Sequence, residues 1–296
     1  MLVTMKEILD RASKGNYAVG APNVVCELDA RAYIEAAEEL NSPLILDVDY
    51  VANPDMETFG KILRQLAMQS SVPIAINLDH GADFTQVYAA IQAGFTSVML
   101  DRSAEPDEKN IADCKYVVDV CHQLGITVEA EFGHVGQADN YEADRPALTD
   151  PKAAVEFVKA TCVDCLAVAI GTAHGAYPRG KKPYLDFDRL VEIKNALGQD
   201  FPLVLHGSSG TDIEDVRKVC AMGINKVNIA NDLCRAACDA VLNGDFEGNK
   251  VYDIWEVAKQ GTKKKMKQMI EVYGSVNKAW TPEFKGLPKI ITTLAE

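Results

Sequence analysis

Eight times along the chain a short apolar run gives way to an amphipathic stretch of helix length. The runs fall at 17–20 (YAVG), 43–49 (PLILDVD), 73–79 (PIAINLD), 96–101 (TSVMLD), 127–131 (TVEAE), 164–170 (DCLAVAI), 202–206 (PLVLH) and 224–230 (INKVNIA). The amphipathic stretches lie at 27–40, 55–69, 83–93, 108–124, 151–160, 187–197, 212–222 and 231–243. Strands buried on both faces read as continuous apolar runs, and their alternation with helices predicts a parallel sheet covered by helices. Eight units predict closure into a (β/α)8 barrel. A doubly wound open sheet is the alternative, and the weak first strand is its support. Local signals agree: Asp83 after Ala82, Asp150 before Pro151, and Asp212 after Thr211 all stand where a helix cap is needed. The opening MLVTMKEILDRASKGN is too charged for a signal peptide and predicts a first helix. One long charged helix is expected after about residue 250, and residues 1–296 are read as a single domain.

Composition narrows the function. A chain of 296 residues that is 48% hydrophobic can bury one large core. It has no run of eighteen apolar residues, so no membrane span is expected. A net charge of −13 argues against nucleic acid as a partner. The KKKMK run at 263–267 is expected to be a solvated helix face. Eight cysteines lying within helix and strand patterns suit a reducing cytoplasm. Cys162 and Cys165 form a CxxC with no second pair, and packing is the expectation there.

In a barrel, the last residues of all eight strands rim one face, and that rim is where chemistry is done. Here those residues are Asp79-His80, Asp101, Glu131, His174 in GTAHG, His206 in HGSSG, and Asn228 with Asn231-Asp232. Three of the five histidines therefore sit at strand ends. Three imidazoles with an open fourth position suit Zn²⁺. They also fit three independent caps or a metal-free catalytic cluster, and their spacing is no short local metal motif. Asp79 is read either as the group that orients a histidine or as a proton-transfer group. Asp101 and Glu131 offer carboxylates that offset a dication. His122 is read as structural, and His134 as a loop residue near the bowl. The glycine-rich turns GTAHGAYPRG and HGSSGTD expose backbone N–H groups beside helix N-termini, which makes Gly207, Ser209 and Asn228 phosphate candidates.

These residues sit in segments that resemble class II, zinc-dependent aldolases of ketose bisphosphates, especially the fructose/tagatose-bisphosphate group. The matching pieces are LDH (78–80), SVMLD with Ser103, VEAEFG (128–133), LAVAIGTAHGAY (166–177), LVLHGSSG (203–210) and KVNIANDL (226–233), in order along residues 3–285. The resemblance implies an oligomeric (β/α)8 barrel, a homodimer or homotetramer. It implies reversible cleavage of a phosphorylated ketose into dihydroxyacetone phosphate and an aldehyde, with zinc as electron sink and no lysine Schiff base. Carried over, His80, His174 and His206 are zinc ligands, and Asp101 and Glu131 lie near a second divalent position. Asp79 is the acid/base at the C4 oxygen. Asn23, Gly175, Gly207, Ser208, Ser209, Asn228, Ala230 and Asn231 hold substrate and its phosphate. The resemblance also admits a monovalent cation, Na⁺ or K⁺, on the backbone near 171–180 and 207–210. The C3 proton donor falls on a loop glutamate in the family; here Asp139 stands at that place, with Glu142 as the alternative.

The aldehyde half departs from the family. Asn77-Leu-Asp-His-Gly81, Asp47-Val-Asp49 and Asp101-Arg-Ser-Ala104 replace its usual residues. Asp47, Asp49, Asn77 and Arg102 are therefore expected to shape aldehyde specificity. Two carboxylates facing the bowl would repel a distal phosphate; Arg102, Arg145 and Arg179 would restore positive charge. The readings left open are a fructose- or tagatose-bisphosphate enzyme, an aldolase whose aldehyde product lacks the phosphate, and a non-catalytic metal- or phosphosugar-binding relative.

Overall fold

The computed structural model describes residues 1–138, 148–178 and 180–283. Eight strands, β1 (Val19–Pro22), β2 (Leu44–Asp49), β3 (Ile74–Gly81), β4 (Ser97–Leu100), β5 (Thr127–Phe132), β6 (Cys165–Val168), β7 (Leu203–Leu205) and β8 (Ile224–Ile229), form one parallel sheet in the order β1-β8-β7-β6-β5-β4-β3-β2. A parallel bridge between Asn23 and Asp47, with Val24 N donating to Asp47 O at 2.8 Å, joins β1 to β2 and closes the ring. This is the (β/α)8 barrel that the strand count predicts, and the open-sheet alternative falls.

The helices are α1 (Met5–Gly15), α2 (Glu27–Glu39), α3 (Met56–Gln69), α4 (Phe84–Ala93), α5 (Asp107–Gln123), α6 (Pro151–Thr161), α7 (Phe187–Leu197), α8 (Ile213–Ala221), α9 (Asn231–Leu242) and α10 (Ile254–Tyr273). The caps read from the sequence are formed. Asp83 accepts from Gln86 N, Asp150 from Lys152 N and Ala153 N beside Pro151, and Asp212 from Glu214 N. Each such cap is worth about 1 kcal/mol.

The strands are buried on both faces. Outward residues such as Leu44, Leu46 and Ile76 pack with the helices, while inward Ile45, Ala75, Ala167 and Val204 meet Met5, Ile8 and Leu9 of α1, which closes the N-terminal end of the barrel. Burying an aliphatic side chain of this size stabilises by roughly 1.5–3 kcal/mol.

One sequence expectation changes here. The basic run at 263–267 is not simply solvated: Lys263 pairs with Glu35 and Glu39, Lys267 pairs with Glu39, and Met266 between them is buried. The run ties α10 to α2. Among the described residues, no helix is long and apolar enough to cross a membrane.

Candidate active site

The site begins with an irregularity in β3. Side chains at 75, 77 and 79 point inward by strand alternation, so residue 80 should point out. Instead the pairing of β3 with β4 shifts between Leu78 and Gly81, inserting one extra residue, and His80 takes φ +46°. Non-glycine residues rarely adopt this left-handed conformation, and at functional sites they mark stored strain. The consequence is that Asp79 and its neighbour His80 both reach the barrel mouth. Gly81 follows because a Cβ there would stand 2.6 Å from the Met99 carbonyl oxygen.

His80 meets two other rings there. Its centroid lies 4.6 Å from those of His174 and His206, which are 5.6 Å from each other, all edge-on. His174 is placed after β6, where its N–H donates to Gly136 O and its carbonyl accepts from Ala138 N. His206 directly follows β7 and is fully buried; the following Gly207 has φ +64°, and a Cβ on it would lie 2.4 Å from Ala173 O. One ligand atom from each of His80, His174, His206 and Glu131 lies within 4.8 Å of all the others. Three nitrogens and a carboxylate oxygen make a donor set suited to a divalent cation. Glu131 Oε2 is buried without a hydrogen-bond partner among the described residues, as a carboxylate oxygen awaiting a cation would be.

Asp101 is not in that quartet. Its Oδ2 lies 2.7 Å from His80 Nδ1. It orients the ring from behind and leaves Nε2 for the cluster. Glu129, which sequence reasoning missed, does the same for His206: its Oε1 lies 2.8 Å from His206 Nε2. The signal was present, since Glu129 and Glu131 are two apart on one strand and must share a face.

Asp79 is buried, with Oδ1 3.8 Å from His80 Nε2. Asn228 donates to Oδ1 at 2.9 Å and Asn23 to Oδ2 at 2.8 Å. Burial opposes its charge, yet His80 and Lys226 hold it well below the usual carboxylate range. Burial likewise works against a charged His80, but Asp79, the bond to Asp101 and Glu131 push it up to about 10. Burial, then the charge of His80, presses His174 down to about 3. Burial, then Asp101, pushes Glu131 up to about 8.

Of the phosphate candidates, Gly175, Gly207, Ser208, Ser209, Ala230 and Asn231 line one recess together with Asn23, Asp79, His174 and Asn228. The first turn of α9 opens there. Its N-cap, Ala230, supplies no side-chain cap; Asp232 N donates to Ser209 Oγ at 3.4 Å and Leu233 N to Ala230 O, so the Asn231 N–H at the very start of the helix is the one placed to meet an anion. Ser208 Oγ donates to Asn228 O at 2.5 Å and helps fix Asn228; Asn23 and Asn228 act on Asp79 as well as lining the recess.

The aldehyde-side expectation needs correction. Asp47 and Asn77 do not face the bowl: both are fully buried beneath it, Asp47 3.0 Å from Lys226 Nζ and bonded to Asn77, and Asn77 bonded to Ser97. Asp49 reaches the rim, but its Oδ1 accepts from Val51 N at 2.6 Å within its own turn. Arg102 turns to Asp113 and the Ala82 carbonyl. His134 is exposed and 3.1 Å from Ser103 Oγ; His122 pairs with Asp164 at the other end of the barrel. Asp139, Glu142, Arg145 and Arg179 lie outside the described residues.

Comparison with known proteins agrees with this geometry. The family model "Fructose-bisphosphate aldolase class-II" matches residues 3–278. A fructose-bisphosphate aldolase of Staphylococcus aureus is 39% identical over 290 residues, covering 94% of this chain and 99% of its own. That of Thermus caldophilus is 37% identical, covering 94% and 100%. Among solved structures, the YdjI aldolase of Escherichia coli K12 superimposes with a TM-score of 0.84 at 34% identity, covering 95% of this chain and all of that one. The chain is therefore a class II aldolase, a member of the metal-dependent fructose-bisphosphate aldolase family.

Proposed function

We propose that this aldolase is zinc-dependent and reversibly cleaves a phosphorylated ketose into dihydroxyacetone phosphate and an aldehyde. The observation that carries the reading is the convergence of His80, His174, His206 and Glu131 within 4.8 Å, beside Asp79. His80, His174 and His206 would hold the cation, with the Glu131 carboxylate beside them to offset its charge. A bound dication supplies Lewis acidity for the negative charge that C3–C4 cleavage leaves on the ketone fragment. Asp79, held ionised and aimed by Asn23 and Asn228, accepts the C4 hydroxyl proton as the bond breaks, and returns it in the reverse direction. The α9 N-terminus, Gly175, Gly207 and Ser209 hold the phosphate of the ketone fragment. Asp139, or Glu142 in its place, supplies the C3 proton.

The same reading includes a homo-oligomer, a monovalent cation near the glycine turns, and a cytoplasmic setting, with residues 1–296 acting as one unit. Leu242, Tyr252 and Trp255, 80%, 78% and 62% exposed at the α9–α10 corner, support self-association. The eight free cysteines support a reducing compartment.

The test is metal content with activity. About one zinc per chain, lost together with cleavage in His174→Ala, is the expected result; a folded, active chain without metal would overturn it. Pairing dihydroxyacetone phosphate with aldehydes then fixes the second product. Fructose or tagatose 1,6-bisphosphate as the condensed sugar is the first expectation. Because Arg102 is engaged by Asp113, an aldehyde without a phosphate is the second reading.

A further inference from the structure

Beneath the histidines runs a string of buried polar side chains that cleavage itself does not use. Lys226 on β8 is fully buried, its Nζ 2.9 Å from Glu129 Oε2 and 3.0 Å from Asp47 Oδ2. Glu129 Oε1 lies 2.8 Å from His206 Nε2, His206 Nδ1 lies 2.8 Å from His80 Nε2, and His80 Nδ1 lies 2.7 Å from Asp101 Oδ2. Asn77 and Ser97 continue the string beyond Asp47.

Donor and acceptor chemistry gives the string one direction. An ammonium only donates, so Glu129 faces Lys226 as an ionised acceptor; an ionised carboxylate only accepts, so it takes the hydrogen of His206 Nε2. His206 Nδ1 is then left with its lone pair turned toward His80 and the cluster. That is the tautomer a ligand requires, and the partner of the other ring nitrogen sets it. Burial opposes charge on Lys226, but Asp47, Glu129 and Asp79 outweigh it and raise its pKa. Burial outweighs the pull of the ammonium on Asp47 and raises its carboxyl to about 8; by distance it is the lysine's second partner, 3.0 Å from Nζ.

We infer that Lys226 is a positioning residue for metal uptake: by clamping Glu129 it fixes the tautomer and ring orientation of His206 so that Nδ1 faces the ion. The inference rests on the metal-site reading above and extends it to two residues, Lys226 and Glu129, that touch neither ion nor substrate.

The experiment measures zinc affinity of the full chain by chelator competition in wild type, Asp47→Asn, Lys226→Met and the double variant Asp47→Asn/Lys226→Met, with thermal unfolding of each metal-free chain as the check on folding. Lys226→Met is expected to bind zinc roughly 10- to 100-fold more weakly, the usual effect of losing a group behind a ligand. Asp47→Asn keeps the Lys226–Glu129 contact and should bind as wild type does. The double variant removes the aspartate charge that loss of the lysine would leave unpaired, so it relieves the fold while affinity stays low. Wild-type affinity in the double variant would make Lys226 a merely structural counter-ion and overturn the inference. Nitrogen NMR of the metal-free wild type tests it without any substitution: His206 should carry its proton on Nε2, and a proton on Nδ1 overturns it. A wild type that binds no zinc takes down the metal reading itself, whereas zinc bound equally by wild type and Lys226→Met takes down only this inference.

Discussion

At the level of Ile45, Ala75, Ala167 and Val204 the barrel interior is apolar, filled from below by Met5, Ile8 and Leu9. Two residues further along the same strands, Ile45 gives way to Asp47 and Ala75 to Asn77; across the ring at this upper level stand Glu129 and Lys226. Two residues beyond that come Asp79, Glu131 and Asn228 at the mouth. Both layers are equally dry, so they must be held differently. The lower one is favoured by removal of apolar surface from water and needs only the right volume. The upper one gains little from burial itself, since charges taken out of water must be repaid by partners. Its order comes from ion pairs around Lys226 and hydrogen bonds such as Asn77 to Asp47 and Glu129 with His206, which fix orientation rather than volume. The comparison separates what the barrel needs in order to fold from what it needs in order to act.

The sharpest way to break that separation is Asp79→Ala. Asp79 belongs to the polar end, with Asn23 and Asn228 on its two oxygens. Its loss should lower cleavage by roughly 10²–10⁴ while zinc content and phosphate binding persist. Turnover close to wild type, measured with metal-loaded protein, would remove the acid/base role. The complementary change is Ile45→Ala in the apolar layer. It should cost about 2–5 kcal/mol in denaturant unfolding and leave zinc affinity unchanged. A large fall in metal affinity from this substitution would show that the two layers are not independent.

The two layers were also unequally legible. Period and residue type expose the lower one directly: apolar runs become strands, and every helix falls within a few residues of its predicted span. The upper one was legible only at its rim, where Asp79, His80, Glu131, His174 and His206 end strands beside glycines. Asp47 looked like a rim residue for the same reason, an acid near the end of an apolar run. Nothing local says that Lys226, about 180 residues away, stands 3.0 Å from it. Lys226 itself sits in INKVNIA, where a lysine in a strand reads as a solvent-facing residue until the barrel closes around it. The bulge that turns His80 inward was equally silent, because LDHG carries no signal for which of two adjacent polar residues will point in.

A smaller effect sharpens the electrostatics of the mouth. In the metal-free chain, His80 is raised to about 10 against an unfolded value near 6.5. Its contribution to metal-free stability is therefore fully present below about 6.5 and is lost as pH rises through about 10. A metal must displace that proton, so the His80 proton alone should make zinc affinity rise about tenfold per pH unit below its folded value. Glu131, raised to about 8, adds a second proton to the exchange below that pH when its carboxylate joins the ion. Calorimetry in buffers of different ionisation enthalpy counts both. Release of fewer than one proton at pH 7 would mean that His80 is not displaced, and so is not a ligand.

The smallest expected effect concerns Asp47, which the sequence places on the aldehyde side and the structure places under the floor. A carboxylate lining the bowl would change the relative turnover of phosphorylated and unphosphorylated aldehydes once neutralised, because it would no longer repel the distal phosphate. A carboxylate with no exposed surface, ion-paired to Lys226, acts on the substrate only through long-range charge and through the lysine it holds. Asp47→Asn should therefore leave that ratio at its wild-type value, and Asp49→Asn, at the rim but bonded to Val51 N, should shift it little. Turnover measured for dihydroxyacetone phosphate with glyceraldehyde 3-phosphate and with glyceraldehyde decides the matter. A clear move toward the phosphorylated aldehyde in Asp47→Asn would mean that the buried charge sets specificity from below, and that the upper layer reaches further into the reaction than its contacts indicate.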